Sequence, residues 1–219
     1  MTKKRILVIN PNSTQAVTDG IDEALEPLRL AGGPAIDCTT LAAGPPAIET
    51  DIHIEQVVAP LCRLIESEQA EADAFVIACY SDPGLGVARA RSTRPVFGMA
   101  ESGMLLALTR GRRFGVISIL TAAVERHLRY VVELGLEKRL AADLPVGLGV
   151  LELADEKRVF TRLEEVGTRL RDEHAADVVL LGCAGMARYR ERLERALEVP
   201  VIDPTQAAVI VATGTVQLA

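Results

Sequence analysis

Residues 72–79 read ADAFVIAC, and residues 176–183, 104 positions further along the chain, read ADVVLLGC. Each stretch consists of an Ala-Asp pair, four mainly β-branched, aromatic or leucine residues, a small residue and a cysteine. A short and continuously apolar run of this kind is typical of a parallel β-strand that is covered on both faces. The sequence therefore predicts two buried strands that each lead into a cysteine.

Two further pairs of segments repeat in the same order around these strands. Residues 5–9 (RILVI) resemble residues 113–117 (RFGVI), and each leads into a loop that carries hydroxyl groups. The spacing from the second residue of the segment to the cysteine of the same half is 73 positions in the first half and 69 in the second. Residues 94–98 (RPVFG) and 199–203 (VPVID) form the third matched pair. Three matched segments at nearly equal spacing predict a chain of two duplicated halves.

Segments with apolar residues at helical spacing separate the predicted strands. Alternation of strands and helices favours an α/β architecture with a mainly parallel sheet in each half. We expect the halves to span residues 1–98 and 99–204 and to be hinged near residues 98–112. Residues 205–219 are expected to form a helix that packs back on the first half. Two such halves, related by a pseudo-two-fold axis, would enclose the active site in the cleft between them.

The composition narrows the class of protein. The 219 residues are 49% hydrophobic, which is enough for a sizeable core. The formal net charge of −6 argues against a nucleic-acid-binding surface, which requires clustered lysines and arginines. No apolar run reaches the roughly 18 residues of a membrane helix, and the first apolar stretch is too short for a signal peptide. We expect a cytoplasmic protein that binds neither nucleic acid nor membrane.

Four cysteines are present, and in a reducing compartment we expect them to be free thiols. The chain has no Cys-x-x-Cys spacing and its three histidines are scattered, so no metal site is predicted. Cys38 and Cys62 are interpreted as core residues. Cys79 and Cys183 occupy matched positions after buried strands, where ligands bind in α/β proteins.

We therefore interpret Cys79 and Cys183 as a catalytic pair on opposite sides of one cleft. One thiolate would remove a proton from one face of a carbon acid, and the other thiol would return a proton to the opposite face. The loop after each cysteine is expected to open a helix, whose N-terminus would lower the pKa of the thiol.

Side chains in the loops after the first strand of each half are candidate ligands of carbonyl or amide groups. Their alternative role is a turn and a helix N-cap, which Asn, Ser and Pro residues commonly form, and the two roles are compatible. Asp82 is interpreted as a helix cap, and Glu101 either as a cleft residue or as part of a solvated helix start. The loop candidates are Asn10, Asn12, Ser13 and Thr14 in the first half and Ser118 and Thr121 in the second.

Four motifs spread over nearly the whole chain carry a family resemblance. They are residues 9–14 (INPNST), 78–85 (ACYSDPGL), 182–186 (GCAGM) and 202–204 (IDP). In these motifs the chain resembles the aspartate/glutamate/hydantoin racemase superfamily, and within it the hydantoin and allantoin racemases. The first two motifs are fairly specific to the hydantoin branch, whereas a strand followed by a cysteine is a weak signal alone.

The resemblance implies two Rossmann-like domains, a catalytic pair at Cys79 and Cys183, no cofactor and a homo-oligomer. The implied substrates are small cyclic ureides, namely 5-substituted hydantoins or allantoin, whose C5 proton is acidified by the adjacent carbonyl. Backbone N–H groups beside the two cysteines would help to hold the oxygens of the ring. The substrate-binding set expected from the loops and the resemblance is Asn10, Asn12, Ser13, Tyr80, Ser118, Thr121, Ala184 and Gly185.

Departures from the family pattern leave the substrate open. Tyr80 and Ser81 stand where a Phe-Gly-like pair is expected, and residues 118–120 are more apolar than the corresponding loop of relatives. A racemase of free aspartate or glutamate is disfavoured because Ala184, and not a histidine, follows the second cysteine. An arylmalonate-type decarboxylase needs only one of the two cysteines. A maleate-type isomerase with Cys79 as nucleophile and a two-lobed binding protein without activity remain alternatives.

Overall fold

The computed structural model describes residues 3–218, which contain two parallel β-sheets of four strands each. The first sheet has the order β2-β1-β3-β4 and the second has the order β6-β5-β7-β8. These orders are the same when the strands of each half are counted from its own first strand, so the expected α/β fold with duplicated halves is confirmed. The strands are β1 (Arg5–Asn10), β2 (Ala35–Thr40), β3 (Ala74–Ile77), β4 (Val96–Gly98), β5 (Phe114–Ser118), β6 (Leu140–Pro145), β7 (Val178–Leu181) and β8 (Val201–Ile202).

Helices connect the strands and cover both faces of each sheet. Within residues 3–218, no helix is both long enough and apolar enough to cross a membrane. Short 3-10 helices lie at Glu26–Leu28, Val150–Ala154 and Ala184–Tyr189. The α-helices are α1 (Gln15–Leu25), α2 (Asp51–Glu68), α3 (Leu85–Arg91), α4 (Met99–Arg110), α5 (Thr121–Glu133), α6 (Glu156–Asp172), α7 (Arg190–Leu197) and α8 (Pro204–Leu218).

The repeated Ala-Asp pair has the same role in both halves. The carboxylate of Asp73 accepts a hydrogen bond from the backbone N–H of Arg5 at 2.9 Å. The carboxylate of Asp177 accepts one from the backbone N–H of Arg113, also at 2.9 Å. Each aspartate therefore fixes the start of the central strand against the start of its neighbour, which explains why the pair precedes both strands.

The last helix of each half packs on the sheet of the other half. Helix α4 follows β4 but contacts β5, β7 and β8, whereas α8 follows β8 but contacts β1, β3 and β4. Buried residues of both helices and of both sheets form one continuous apolar cluster. The division into residues 1–98 and 99–204 stays a prediction, since the two halves share this core.

A glycine sets the distance between α4 and α8. A Cβ atom placed on Gly103 would lie 2.5 Å from the Cβ of Pro204 and 3.3 Å from a side-chain carbon of Leu180. Both distances are too short for ordinary packing, so the close approach of the two helices depends on the missing side chain.

We expect Gly103→Ala to lower the free energy of unfolding by about 1–3 kcal/mol, because the added methyl group overfills the contact. Gly214→Ala in α8 is the matched control: no atom lies within 4 Å of a Cβ there. Alanine favours helix by up to about 1 kcal/mol over glycine, so this variant is expected to be unchanged or more stable. Urea denaturation of both variants measures the difference, and equal effects would contradict tight packing at Gly103.

Candidate active site

The two cysteines of the repeat occupy equivalent positions in the two sheets. Cys79 lies two residues after the end of β3, and Cys183 lies two residues after the end of β7. The intervening residues, Ala78 and Gly182, each donate their backbone N–H to a carbonyl of the neighbouring central strand, at 2.9 and 2.8 Å. The chain therefore leaves both sheets in the same way and delivers each thiol to the carboxyl edge of its sheet.

Both thiols line one cavity with an empty volume of about 470 Å³. Of the residues expected to bind substrate, Asn12, Tyr80, Ala184 and Gly185 line this cavity with the two cysteines. The apolar part of the wall comes from both halves and includes Val17, Ile48, Ile119, Ala123 and Val150, and its further polar side chains are Ser81, Arg126 and His127. Asn10, Ser13, Ser118 and Thr121 are not among the lining residues.

Burial keeps both thiols protonated at neutral pH. Desolvation raises the pKa of Cys79 to about 11 and that of Cys183 to about 12. Hydrogen bonds from the backbone N–H groups of Ser81 and Gly185 lower the pKa of the two thiols, but they do not outweigh burial. The expectation that helix N-termini would lower these pKa values overall is therefore wrong. A turn separates Cys79 from α3, and Cys183 precedes only a 3-10 helix.

The two thiols differ in their charged neighbours. After desolvation and the hydrogen bond from Ser81, the remaining influences on the pKa of Cys79 are Asp82, which raises it, and Arg126, which lowers it. The guanidinium of Arg126 is held in place by Ser81 Oγ at 3.0 Å and by the carboxylate of Asp51 at 2.9 Å. The charged groups acting on Cys183 all raise its pKa. Cys79 therefore has a cationic neighbour that favours its thiolate, opposed by Asp82, whereas Cys183 has none among its charged influences.

The loop after β1 is held together by its own side chains. The amide nitrogen of Asn10 donates to Asn12 Oδ1 at 3.1 Å and to Thr18 Oγ1 at 3.0 Å, so Asn10 is fully buried and used internally. Asn12 Oδ1 also accepts the backbone N–H of Thr14 at 2.9 Å. The amide nitrogen of Asn12 has no partner within residues 3–218 and belongs to a residue of the cavity wall. Ser13 contributes its backbone N–H to the carbonyl of Pro45.

The loop after β5 differs from this arrangement. Ser118 is fully buried, and its hydroxyl bonds to groups on α5 and β6 and not to the cavity. Thr121 is the exposed first residue of α5. The residue of this loop that does line the cavity is Ile119. The repeat correctly locates the loop, whereas the side chains that face the cavity differ between the halves.

Two functional candidates on α5, Arg126 and His127, were not predicted from the sequence. His127 is buried and its Nδ1 lies 2.9 Å from Asp143 Oδ2. The buried residues of α5 are Ala123, His127 and Val131, spaced four apart. A histidine in the middle of such a buried stripe needs a polar partner, and here the partner lies on strand β6.

Asp82 caps helix α4. It does not cap α3, the helix that follows it directly in the sequence. Its carboxylate accepts the backbone N–H groups of Ala100 at 3.0 Å and Glu101 at 2.9 Å and the hydroxyl of Tyr130 at 3.1 Å. Burial raises the pKa of Asp82 to about 7. The carboxylate of Glu101 forms an ion pair with Arg89 at 2.6 Å. Neither Asp82 nor Glu101 lines the cavity.

A second cavity adjoins the first, with an empty volume of about 590 Å³. Val17, Val150 and Gly185 line both cavities and form the partition between them. Its remaining wall is mainly apolar, with Arg188 as the charged group. In the part of the chain that the structure describes, no cluster of three or more His, Cys, Asp or Glu side chains is arranged to hold a metal ion.

Comparisons with known proteins agree on one family. The model of the Asp/Glu/Hydantoin racemase family matches residues 6–212. A hydantoin racemase of Paenarthrobacter aurescens is 36% identical over 220 residues, covering 98% of this chain and 92% of its own. Allantoin racemase from Klebsiella pneumoniae has a similar structure, with a TM-score of 0.93, 32% identity and coverage of 99% of this chain and 89% of its own. Allantoin racemase from Pseudomonas fluorescens gives a TM-score of 0.91 at 26% identity, with 98% and 91% coverage.

The raised thiol pKa values predict slow alkylation by iodoacetamide. At pH 8 we expect Cys79 to react on the order of 100-fold and Cys183 on the order of 1,000-fold more slowly than glutathione in the same tube, because only thiolates react. Their rates should rise about tenfold per pH unit from pH 7 to 9 without a plateau, and Cys183 should be the slower. Peptide mass spectrometry measures each site separately. A plateau below pH 9 at either cysteine would show that its pKa is not raised.

Proposed function

We propose that this chain, which belongs to the Asp/Glu/Hydantoin racemase family, racemises a cyclic ureide, either a 5-substituted hydantoin or allantoin. The chain is accordingly an enzyme of the isomerase class. The observation that carries the proposal is the presence of Cys79 and Cys183 at equivalent strand ends of two matched sheets, in the wall of one cavity. Inversion at a carbon acid requires two proton carriers, one for each face of the carbon.

The reaction moves one proton to and one proton from C5 of the ring. The Cys79 thiolate takes the C5 proton, and the electron pair of the broken C–H bond moves onto the adjacent carbonyl oxygen to form an enolate. The Cys183 thiol then donates its proton to C5 on the opposite face, while the carbonyl re-forms. Cys79 ends as a thiol and Cys183 as a thiolate, which is the state required for the opposite enantiomer.

The polar groups of the cavity support the enolate. The amide nitrogen of Asn12 is a hydrogen-bond donor that is not used elsewhere within residues 3–218, and donors aimed at a developing oxyanion stabilise it. The guanidinium of Arg126 favours the thiolate of Cys79 over that of Cys183. We therefore assign Cys79 as the base that starts turnover more readily.

The second cavity supports a substrate with a substituent at C5. Val17 and Val150 separate this second cavity from the one that the thiols line, and its wall is mainly apolar. The ring would occupy the space between the cysteines, and the substituent would extend towards the partition. A cytoplasmic homo-oligomer that needs no cofactor completes the proposal, in keeping with the family resemblance of the motifs.

We expect Cys79→Ser and Cys183→Ser each to lower the racemisation rate by about 100- to 10,000-fold, because a serine hydroxyl is a poor proton carrier at neutral pH. Each variant should still exchange the C5 proton of one enantiomer, since one thiol remains. Single enantiomers of allantoin and of 5-alkyl and 5-aryl hydantoins are incubated in D2O. Circular dichroism follows loss of optical activity, and NMR follows deuterium at C5.

Cys62→Ser is the matched control, because Cys62 is buried in α2 and does not line the cavity. Wild-type rates in both cysteine variants of the cavity would overturn the two-base assignment. No exchange with any ring would redirect the search to free amino acids. A covalent adduct on Cys79, detected by mass spectrometry, would instead indicate a maleate-type isomerase.

A further inference from the structure

A buried group of three polar side chains lies behind the cavity wall. The Ser118 hydroxyl donates to Asp143 Oδ1 at 2.5 Å, and His127 Nδ1 lies 2.9 Å from both Asp143 Oδ2 and Ser118 Oγ. All three residues are buried, and they come from β5, α5 and β6. The proposed proton transfer between the cysteines uses none of them, yet His127 lines the same cavity as both thiols.

The hydrogen bonds determine which nitrogen of His127 carries a proton. The only hydroxyl proton of Ser118 is used by Asp143, so both Ser118 Oγ and Asp143 Oδ2 face His127 Nδ1 with lone pairs. A bare Nδ1 at 2.9 Å from both oxygens would be repelled, so Nδ1 carries the proton and donates it. In the neutral imidazole the other nitrogen, Nε2, is then a hydrogen-bond acceptor.

The position of the imidazole leaves Nε2 available to a ligand. Within residues 3–218 no hydrogen bond is formed to Nε2, and Nε2 is not among the fully enclosed polar atoms without a partner. The ring of Tyr80 packs edge-on against the imidazole with 4.9 Å between ring centres, which restricts its rotation. In its neutral form, His127 therefore presents a fixed acceptor at the wall of the cavity.

We propose that His127 Nε2 accepts a hydrogen bond from a ring N–H of the substrate, and that Ser118 and Asp143 hold the imidazole in the tautomer that makes this possible. The inference rests on the proposed function, since a cyclic ureide carries two ring N–H groups, one on the nitrogen bonded to C5 and one between the two carbonyl groups. The amide of Asn12 supplies a donor in the same cavity. One donor and one acceptor fix the plane of a ring that carries both C=O and N–H groups, and C5 is then presented with one face to each thiol.

The proposal predicts that His127→Ala lowers kcat/KM for an unmethylated 5-substituted hydantoin by about 10- to 100-fold. Methylation of the ring nitrogen that binds Nε2 removes the same hydrogen bond. The penalty of His127→Ala should therefore be lost with either the N1-methyl or the N3-methyl analogue and remain with the other. Equal penalties with all three rings, or no penalty with any, would overturn the proposal.

Further variants separate binding from folding. In Asp143→Asn, an amide N–H that faces Nδ1 favours the tautomer with the proton on Nε2. This variant should therefore lose activity with the same one of the two methylated rings, and with the unmethylated ring, as His127→Ala does. External imidazole should restore part of the activity of His127→Ala, which misfolded protein would not allow. His174→Ala is the control, because His174 is a histidine that does not line the cavity.

A measurement without turnover distinguishes this inference from the proposed function. In protein with 15N-labelled histidine, the chemical shifts should show a protonated Nδ1 and a bare Nε2 at His127 before ligand is added. Titration with an unmethylated hydantoin should move the Nε2 resonance, and an unmoved resonance at saturation would overturn the inference. Wild-type protein that binds but racemises none of the rings would overturn the proposed function while leaving the histidine contact intact.

Discussion

The exchange of α4 and α8 between the two sheets is the interaction on which the rest of the structure depends. Each helix leaves its own half and supplies the apolar layer of the other, so both sheets share one core. Because interiors are close-packed, neither sheet can shift far without disturbing that layer. The two thiols are thereby held in a fixed relation in the wall of one cavity, although they lie 104 positions apart in the chain.

This rigid enclosure also determines the acidity of the thiols. Burial raises the pKa of both cysteines above 9.0, the ordinary value for a cysteine. A base becomes stronger as the pKa of its conjugate acid rises, and the C5 proton of a cyclic ureide is a weakly acidic one. The cavity thus reduces the fraction of thiolate, and in the proposed racemisation it would make each thiolate a better match to the C5 proton. Arg126 lowers the pKa of Cys79 and so restores part of its thiolate fraction, an influence that Cys183 does not receive.

The sequence predicts what is repeated and local, and it misses what is unique and long-range. The Ala-Asp pairs and the strand ends could be recognised because each repeat places the same residues at the same spacing. The direction of a single side chain could not be recognised: Ser118 turns towards Asp143, and Ile119 takes the place in the wall. His127 was missed because its partner, Asp143, is 16 positions away on strand β6, and nothing near His127 in sequence marks the contact.

The crossing of the terminal helices has a consequence for the history of the molecule. A half that existed alone would extend its final helix without the sheet that the helix covers, whereas two identical halves would complete each other as a symmetric pair. In such an ancestral pair both thiols would have had the same surroundings. Fusion of the two copies into one polypeptide removes that equality, so each half can acquire substitutions of its own. The present molecule is unequal in this way, because Arg126 acts on Cys79 and no cationic group among the influences on Cys183 corresponds to it.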